Sequence, residues 1–296
     1  MPSKELEKVI NMIKSRELEE NRTIEEMRAG SEEWAKQFPV APNTECKPIK
    51  IGNIDAEWII NSNAKDDRVL LFLHGGGYLL GSINTHRALA SDISQVSQAK
   101  ILLIAYRLAP EHPYPAAVED CKAAYRWLLK EGYNPSRIVV AGDSAGGGLA
   151  VAICVALRDE GVKLPAAIVC LSPWIDMEAI GESMTTNAEV DPSVQRGPLL
   201  EMAKVYLGVA DLRTPLANPL YANLKKLPPI LIQVGTRETL LDDSTRLAEV
   251  AKKAGVEVIL EPWEDMIHVW HRYSSILPEG KAAIERVGKF ILQHTG

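Results

Sequence analysis

The pentapeptide "GDSAG" at residues 142–146 sets a serine between two glycines, directly after the apolar run "RIVVAG" and directly before the small-residue stretch "AGGGLAVAICVAL". A serine on a tight strand-to-helix turn holds its hydroxyl clear of the backbone, and the helix N-terminus behind it favours developing negative charge. Ser144 is therefore a candidate nucleophile for acyl transfer. Upstream, "HGGG" (His74, Gly75, Gly76 and Gly77) closes the apolar run "RVLLFLH". Backbone N–H groups of residues without side chains can aim at a carbonyl oxygen as it gains charge, so the glycines read as an oxyanion site and His74 as a shaper of the loop.

A hydroxyl nucleophile needs a base. Of six histidines, His86, His112 and His294 fall at a helix start, in a Pro-rich loop and near the end of the chain. His268, in "EDMIHVWH", follows the last expected strand and is the candidate base; His271, three residues on, reads as a packing or surface residue. A carboxylate must orient the imidazole, and the chain order serine, acid, histidine confines it to the region between 144 and 268. The segment "TRETLLDDS" offers Glu238, Asp242 and Asp243. Glu238, in the loop three residues past Gly235, is preferred, with Asp242 next, because Asp242 and Asp243 open a helix where capping is their ordinary task. Asp143 adjoins the serine, but on so tight a turn its side chain points away, which makes it a partner for neighbouring loops.

These residues need a scaffold. Apolar runs at 57–61, 68–74, 101–107, 137–142, 166–172, 230–235 and 256–262 read as strands, most of them continuous rather than alternating, as in strands covered on both faces. Helical stretches near 85–98, 116–131, 145–160, 241–254 and 279–293 separate them. That rhythm predicts an α/β fold: a largely parallel, doubly wound central sheet flanked by helices. Residues 1–45 form a helical preface in which Leu6, Val9, Ile10 and Ile13 share a face, and 177–217 interrupt the sheet with one helix near "PLLEMAKVYLG". Both are expected to cap the carboxyl edge of the sheet, over a catalytic domain spanning 46–296.

The composition fits this. The chain has 296 residues, 46% hydrophobic and 24% charged, with a net charge of -6 and no run of basic residues, which speaks against a nucleic-acid partner. Its charged N-terminus and short apolar runs predict no stable membrane association and a cytoplasmic location. Cys46, Cys121, Cys154 and Cys170 lack metal-ligand spacing and are expected to stay reduced. Arg107, Glu111, Asp120 and Asp176 read as structural pairs beneath the site, while Trp34, Trp174 and Trp263 could equally line an acyl pocket or pack in the core.

The stretches "HGGGYLLGS", "YRLAPEHPYPAAVED", "VVAGDSAGGGLA", "LSPWID" and "PLYANLKKLPPILIQVG" occur in the order and spacing of one family. From about residue 68 onward the chain resembles the hormone-sensitive-lipase group of microbial carboxylesterases, on the α/β-hydrolase fold. The resemblance implies hydrolysis of small-molecule esters of short to medium acyl chain by Ser144, with His268 as base and the N–H groups of Gly76, Gly77 and Ala145 holding the oxyanion. It implies no metal or organic cofactor, an N-terminal helical cap over the acyl site, and a homodimer formed through the C-terminal strand and helix. Long-chain lipase, amidase and non-catalytic binding activity are the competing readings on this fold. Two positions depart from the family pattern. Glu238-Thr239-Leu240 stands where an Asp-Pro-Leu is usual, and Asp265 stands where a glycine commonly precedes the base.

Overall fold

The computed structural model describes residues 3–15 and 22–296. It opens with two helices, α1 (Lys4–Lys14) and α2 (Ile24–Ala35), followed by an antiparallel pair, β1 (Thr44–Ile51) and β2 (Ile54–Asn61). Then strands and helices alternate: β3 (Lys65–Leu73), α3 (Ile83–Ser97), β4 (Ala99–Ala105), α4 (Ala116–Lys130), β5 (Ile138–Asp143), α5 (Ala145–Asp159) and β6 (Ala167–Leu171). The excursion that follows carries a single turn, α6 (Ser183–Thr186), and one longer helix, α7 (Arg196–Leu207). The alternation then resumes with β7 (Ile230–Gly235), α8 (Leu241–Lys253), β8 (Val258–Trp263) and α9 (Pro278–Thr295).

The eight strands form one sheet in the order β1-β2-β4-β3-β5-β6-β7-β8. From β4 to β8 every neighbouring pair is parallel, while β2 runs antiparallel to both β1 and β4. The fold is thus the α/β-hydrolase sheet expected, with β1 as an addition. Its sequence, "TECKPIKI", alternates exposed and half-covered positions and contains a proline, so it lacks the apolar run that marks the central strands. β5, β6 and β7 are buried at every position, with helices covering both faces.

The N-terminal helices dock on the rest of the chain as their patterning requires. Leu6 and Val9 are fully buried in a cluster with Phe38, Ile267, Trp270 and Tyr273, next to the loop that follows β8. α2 is fastened through Arg28, whose guanidinium donates to both oxygens of Glu111 and to the carbonyls of Leu79 and Ala109. Glu111 therefore serves the cap and not the network beneath the site. Arg107 and Asp120 do pair with each other, and Asp176, fully buried, pairs with Arg246. All four cysteines are free thiols, and no described helix is long and apolar enough to cross a membrane.

The Arg28 clamp gives a first prediction. Arg28→Ala should lower the melting temperature by a few degrees, on the order of 1 kcal/mol for a half-exposed pair plus two carbonyl contacts. Glu111→Ala should cost less, because the Leu79 and Ala109 carbonyls still hold the guanidinium. Calorimetry of the two variants checks the ranking; equal losses would mean that the ion pair alone carries the clamp.

Candidate active site

Ser144 stands between β5 and α5 with φ 52° and ψ -122°, a conformation seldom adopted by residues other than glycine. Hydrogen bonds on every side hold it there. Its N–H donates to the Leu171 carbonyl, and its own carbonyl accepts from Gly147, Gly148 and Trp174. The turn also needs room. A Cβ on Gly146 would overlap the Leu73 carbonyl at the end of β3, so the elbow and the "HGGG" loop sit against each other only with glycine there.

In that loop Gly76 has φ 116°, and a side chain on it would meet the Leu80 carbonyl. His74 lies beneath, with Nδ1 2.8 Å from the Gly75 carbonyl oxygen and its ring stacked on Tyr106, whose hydroxyl donates to the His74 carbonyl. Burial pushes its pKa down to about 3, so it is a neutral packing element. Asp143 reaches the same loop: its Oδ1 accepts the Gly75 N–H at 3.0 Å, while Oδ2 lies 3.3 Å from His86 Nε2. Burial would raise this carboxyl, but His86 and, further off, Arg272 outweigh it and hold the pKa at about 2. Among the described residues the N–H groups of Gly76, Gly77 and Ala145 donate to no protein acceptor.

His268 comes from the loop after β8, and its Nδ1 lies 2.9 Å from Glu238 Oε2. The other oxygen of Glu238 accepts from the Ser172 hydroxyl and the Gly235 N–H, both at 2.6 Å. Ser172 in turn accepts the Val269 N–H, next to the histidine. A carboxylate can only accept, so Nδ1 carries a proton and Nε2 is left with its lone pair toward the cavity. Asp242 lies elsewhere: it accepts the Ser183 N–H and anchors α6. Asp243 accepts from Ile175 and Asp176, where burial lifts its pKa to about 7. His271 is buried against Gln233 and Trp270 with its pKa pushed down to about 3. Asp265 adopts φ 62°, which accounts for the glycine usual at that point, and it pairs with Arg237.

Ser144, Gly76, Gly77 and His268 share one cavity of about 290 Å³. Its walls come from both capping segments: Ile13, Ser31 and Trp34 from the N-terminal helices, Leu199 and Met202 from α7, with Trp174 between. Trp263 lies outside it, against Trp270. No hydrogen bond joins Ser144 Oγ to His268 among the described residues, and such contacts commonly tighten only when substrate arrives. Three participants gave no prior signal: Ser172, hidden in the turn-like "LSPWID"; Asp191, whose carboxylate accepts from the Thr239 N–H beside Glu238; and Arg272 on the cavity wall.

Residues 70–272 match the profile of a family described as the alpha/beta hydrolase fold. A crystal structure of an esterase from the bacterial hormone-sensitive lipase family superposes with a TM-score of 0.98 at 51% identity, over 100% of both chains. The chain belongs to that family of carboxylesterases. An acetyl-hydrolase of Streptomyces hygroscopicus is 45% identical across 100% of this chain and 99% of its own length. An esterase of Acinetobacter venetianus is 34% identical over 89% of this chain and 87% of its own.

The electrostatics of this carboxylesterase yield a second prediction. Burial works to lower the pKa of His268, but the Glu238 hydrogen bond and the charges of Glu238, Asp191 and Asp143 outweigh it, so the pKa lies above the ordinary 6.5. Glu238→Gln removes the charge and leaves the burial. The His268 pKa, followed by NMR of the ring, should then fall, and an unchanged value would place the carboxylate's influence elsewhere.

Proposed function

We propose that the protein hydrolyses small carboxylic esters through a triad of Ser144, His268 and Glu238, with the N–H groups of Gly76, Gly77 and Ala145 as the oxyanion hole. The observation that carries this reading is the linked chain from Gly235 and Ser172 through Glu238 to His268, opening on the cavity that holds Ser144. His268 Nε2 takes the Ser144 proton as Oγ attacks the ester carbonyl. The oxygen that gains charge meets donors that are already in place, so little reorganisation is needed. Collapse of the tetrahedral adduct expels the alcohol with the proton from His268. Water, deprotonated by the same nitrogen, then attacks the acyl-serine and releases the acid. Throughout, Glu238 fixes the tautomer and stabilises the imidazolium.

The preference we propose is for short to medium acyl chains. A cavity of about 290 Å³ stands at the low end of small-molecule sites, and Trp34, Trp174, Leu199 and Met202 bound it with bulky side chains. The acetyl-hydrolase among the relatives points the same way. We also retain the homodimer as a proposal, through β8 at the open edge of the sheet together with α9.

Ser144→Ala should lower kcat by on the order of 10⁴–10⁶-fold with the melting temperature preserved. The profile of kcat/KM against pH should rise through the pKa of free His268, above 6.5, because only the neutral ring accepts the proton. A series of 4-nitrophenyl esters from acetate to palmitate should show its maximum at the short end. A palmitate maximum would instead assign a lipase, and near wild-type activity of Ser144→Ala would overturn the triad.

A further inference from the structure

Charged side chains on the cavity wall are few. Among the described residues they are Asp143, which faces the glycine loop, His268, and Arg272. Arg272 is the single permanent cation among the described residues there, four residues past the proposed base in the short helical turn Trp270–Tyr273. It is half-buried, yet the only hydrogen bond its guanidinium makes among the described residues is one from Nη2 to the Thr85 carbonyl, at 3.3 Å. Most of the other described arginines, among them Arg28, Arg87, Arg107, Arg237 and Arg246, hold a carboxylate within 4 Å; Arg272 holds none, and neither do Arg68, which donates to Thr295 and the Ser97 carbonyl, and Arg196, which donates to the Ala179 carbonyl.

The groups around it do not neutralise it. Asp143 acts on it only at longer range and gives its oxygens to Gly75 and His86. On its far side Arg272 borders a second cavity of about 370 Å³ together with Asp92 and Lys281. Asp92 accepts from the Ser274 hydroxyl, and burial holds its carboxyl above the usual range. A guanidinium presents five donors in a planar fork matched to carboxylate geometry, and a partly dehydrated one that meets a single backbone carbonyl leaves most of them without a protein partner.

We propose that Arg272 is a specificity-determining residue that receives a carboxylate, or a small anion of like geometry, on the substrate. The preferred esters of this protein then carry a negative charge at some distance from the bond that is cleaved. This rests on the esterase reading above and names its substrate class. The anion could belong to the acyl or to the alcohol half of the ester, since His268, Arg272 and Ser144 line the same cavity. The bland role for Arg272 is a remote counter-charge to buried Asp143, and the two roles differ in what substitution does to substrate selection.

The test compares wild type, Arg272→Gln and Arg272→Lys on two matched pairs of esters. The acyl arm sets mono-4-nitrophenyl glutarate against 4-nitrophenyl butyrate; the alcohol arm sets 4-acetoxybenzoate against its methyl ester. In one arm the ratio of anionic to neutral kcat/KM should fall roughly tenfold or more in Arg272→Gln, the scale of a lost charge-assisted contact. Arg272→Lys should recover part of it, because the charge stays and the fork does not. Ratios that match wild type in both arms, whatever happens to the absolute rates, overturn the proposal and leave the counter-charge role. Should Arg272→Gln fail to fold, wild type decides by inhibition of butyrate ester hydrolysis: benzoate should compete at concentrations well below those of benzamide, and equal potency overturns the proposal. Hydrolysis of neither neutral ester by wild type would instead sink the esterase reading beneath it.

Discussion

A carboxylate with no exposed surface lies at the centre of this molecule's site, and the rest of the arrangement follows from how Glu238 is satisfied. Taking an ionised carboxyl out of water is costly unless every lone pair finds a donor. Here the donors come from three places: the Gly235 N–H at the end of β7, the Ser172 hydroxyl just past β6, and the His268 ring from the loop after β8. Three neighbouring strand ends are thereby bound to one pair of oxygens, and the histidine can hold only one orientation without leaving a buried charge short of a partner. The same strand ends hold Ser144, because Leu171 accepts its N–H and Trp174, just beyond Ser172, donates to its carbonyl.

The extra methylene of glutamate, where the family usually has aspartate, is accommodated by this network. Asp191, from the excursion after β6, accepts both the N–H and the hydroxyl of Thr239, and Asn187 donates to the carbonyls of Thr236 and Glu238. The loop between β7 and α8 is thus held from outside by the capping excursion as well as from inside by the carboxylate. Residues expected from the sequence to cap the sheet edge also hold the loop that carries Glu238.

The central sheet was legible because β5, β6 and β7 are apolar at nearly every position, the mark of strands covered on both faces. β1 was not, since an edge strand with half its residues in solvent carries no such mark. For the candidate site, the sequence pointed to Ser144, His268 and Glu238 through their neighbours, namely glycines that permit a tight turn and chain order relative to the strands, and the fold brings Glu238 to His268 beside the cavity that holds Ser144. What could not be read is contact between residues far apart in sequence. Glu111 looks like a partner for nearby Arg107, yet it meets Arg28, 83 positions away. Ser172 gives no local sign of reaching Glu238, 66 positions on, because a serine before a proline serves equally well as a plain turn. Arg272 is likewise silent in the sequence, where a charged residue beside an aromatic reads as surface.

The charges around His268 must also be balanced. Glu238, Asp191 and Asp143 all favour the imidazolium, and a histidine that stays protonated at neutral pH cannot accept a proton from serine. Burial opposes them, as the largest single influence on the ring. Asp143 is itself held ionised by His86 and by the field of Arg272. The cation that helps hold Asp143 ionised lies on the cavity wall, where it is available to whatever enters. On the proposed reading one arginine both helps hold Asp143 ionised and presents a charge to the substrate, and the two roles are compatible because Asp143 draws on it only at long range.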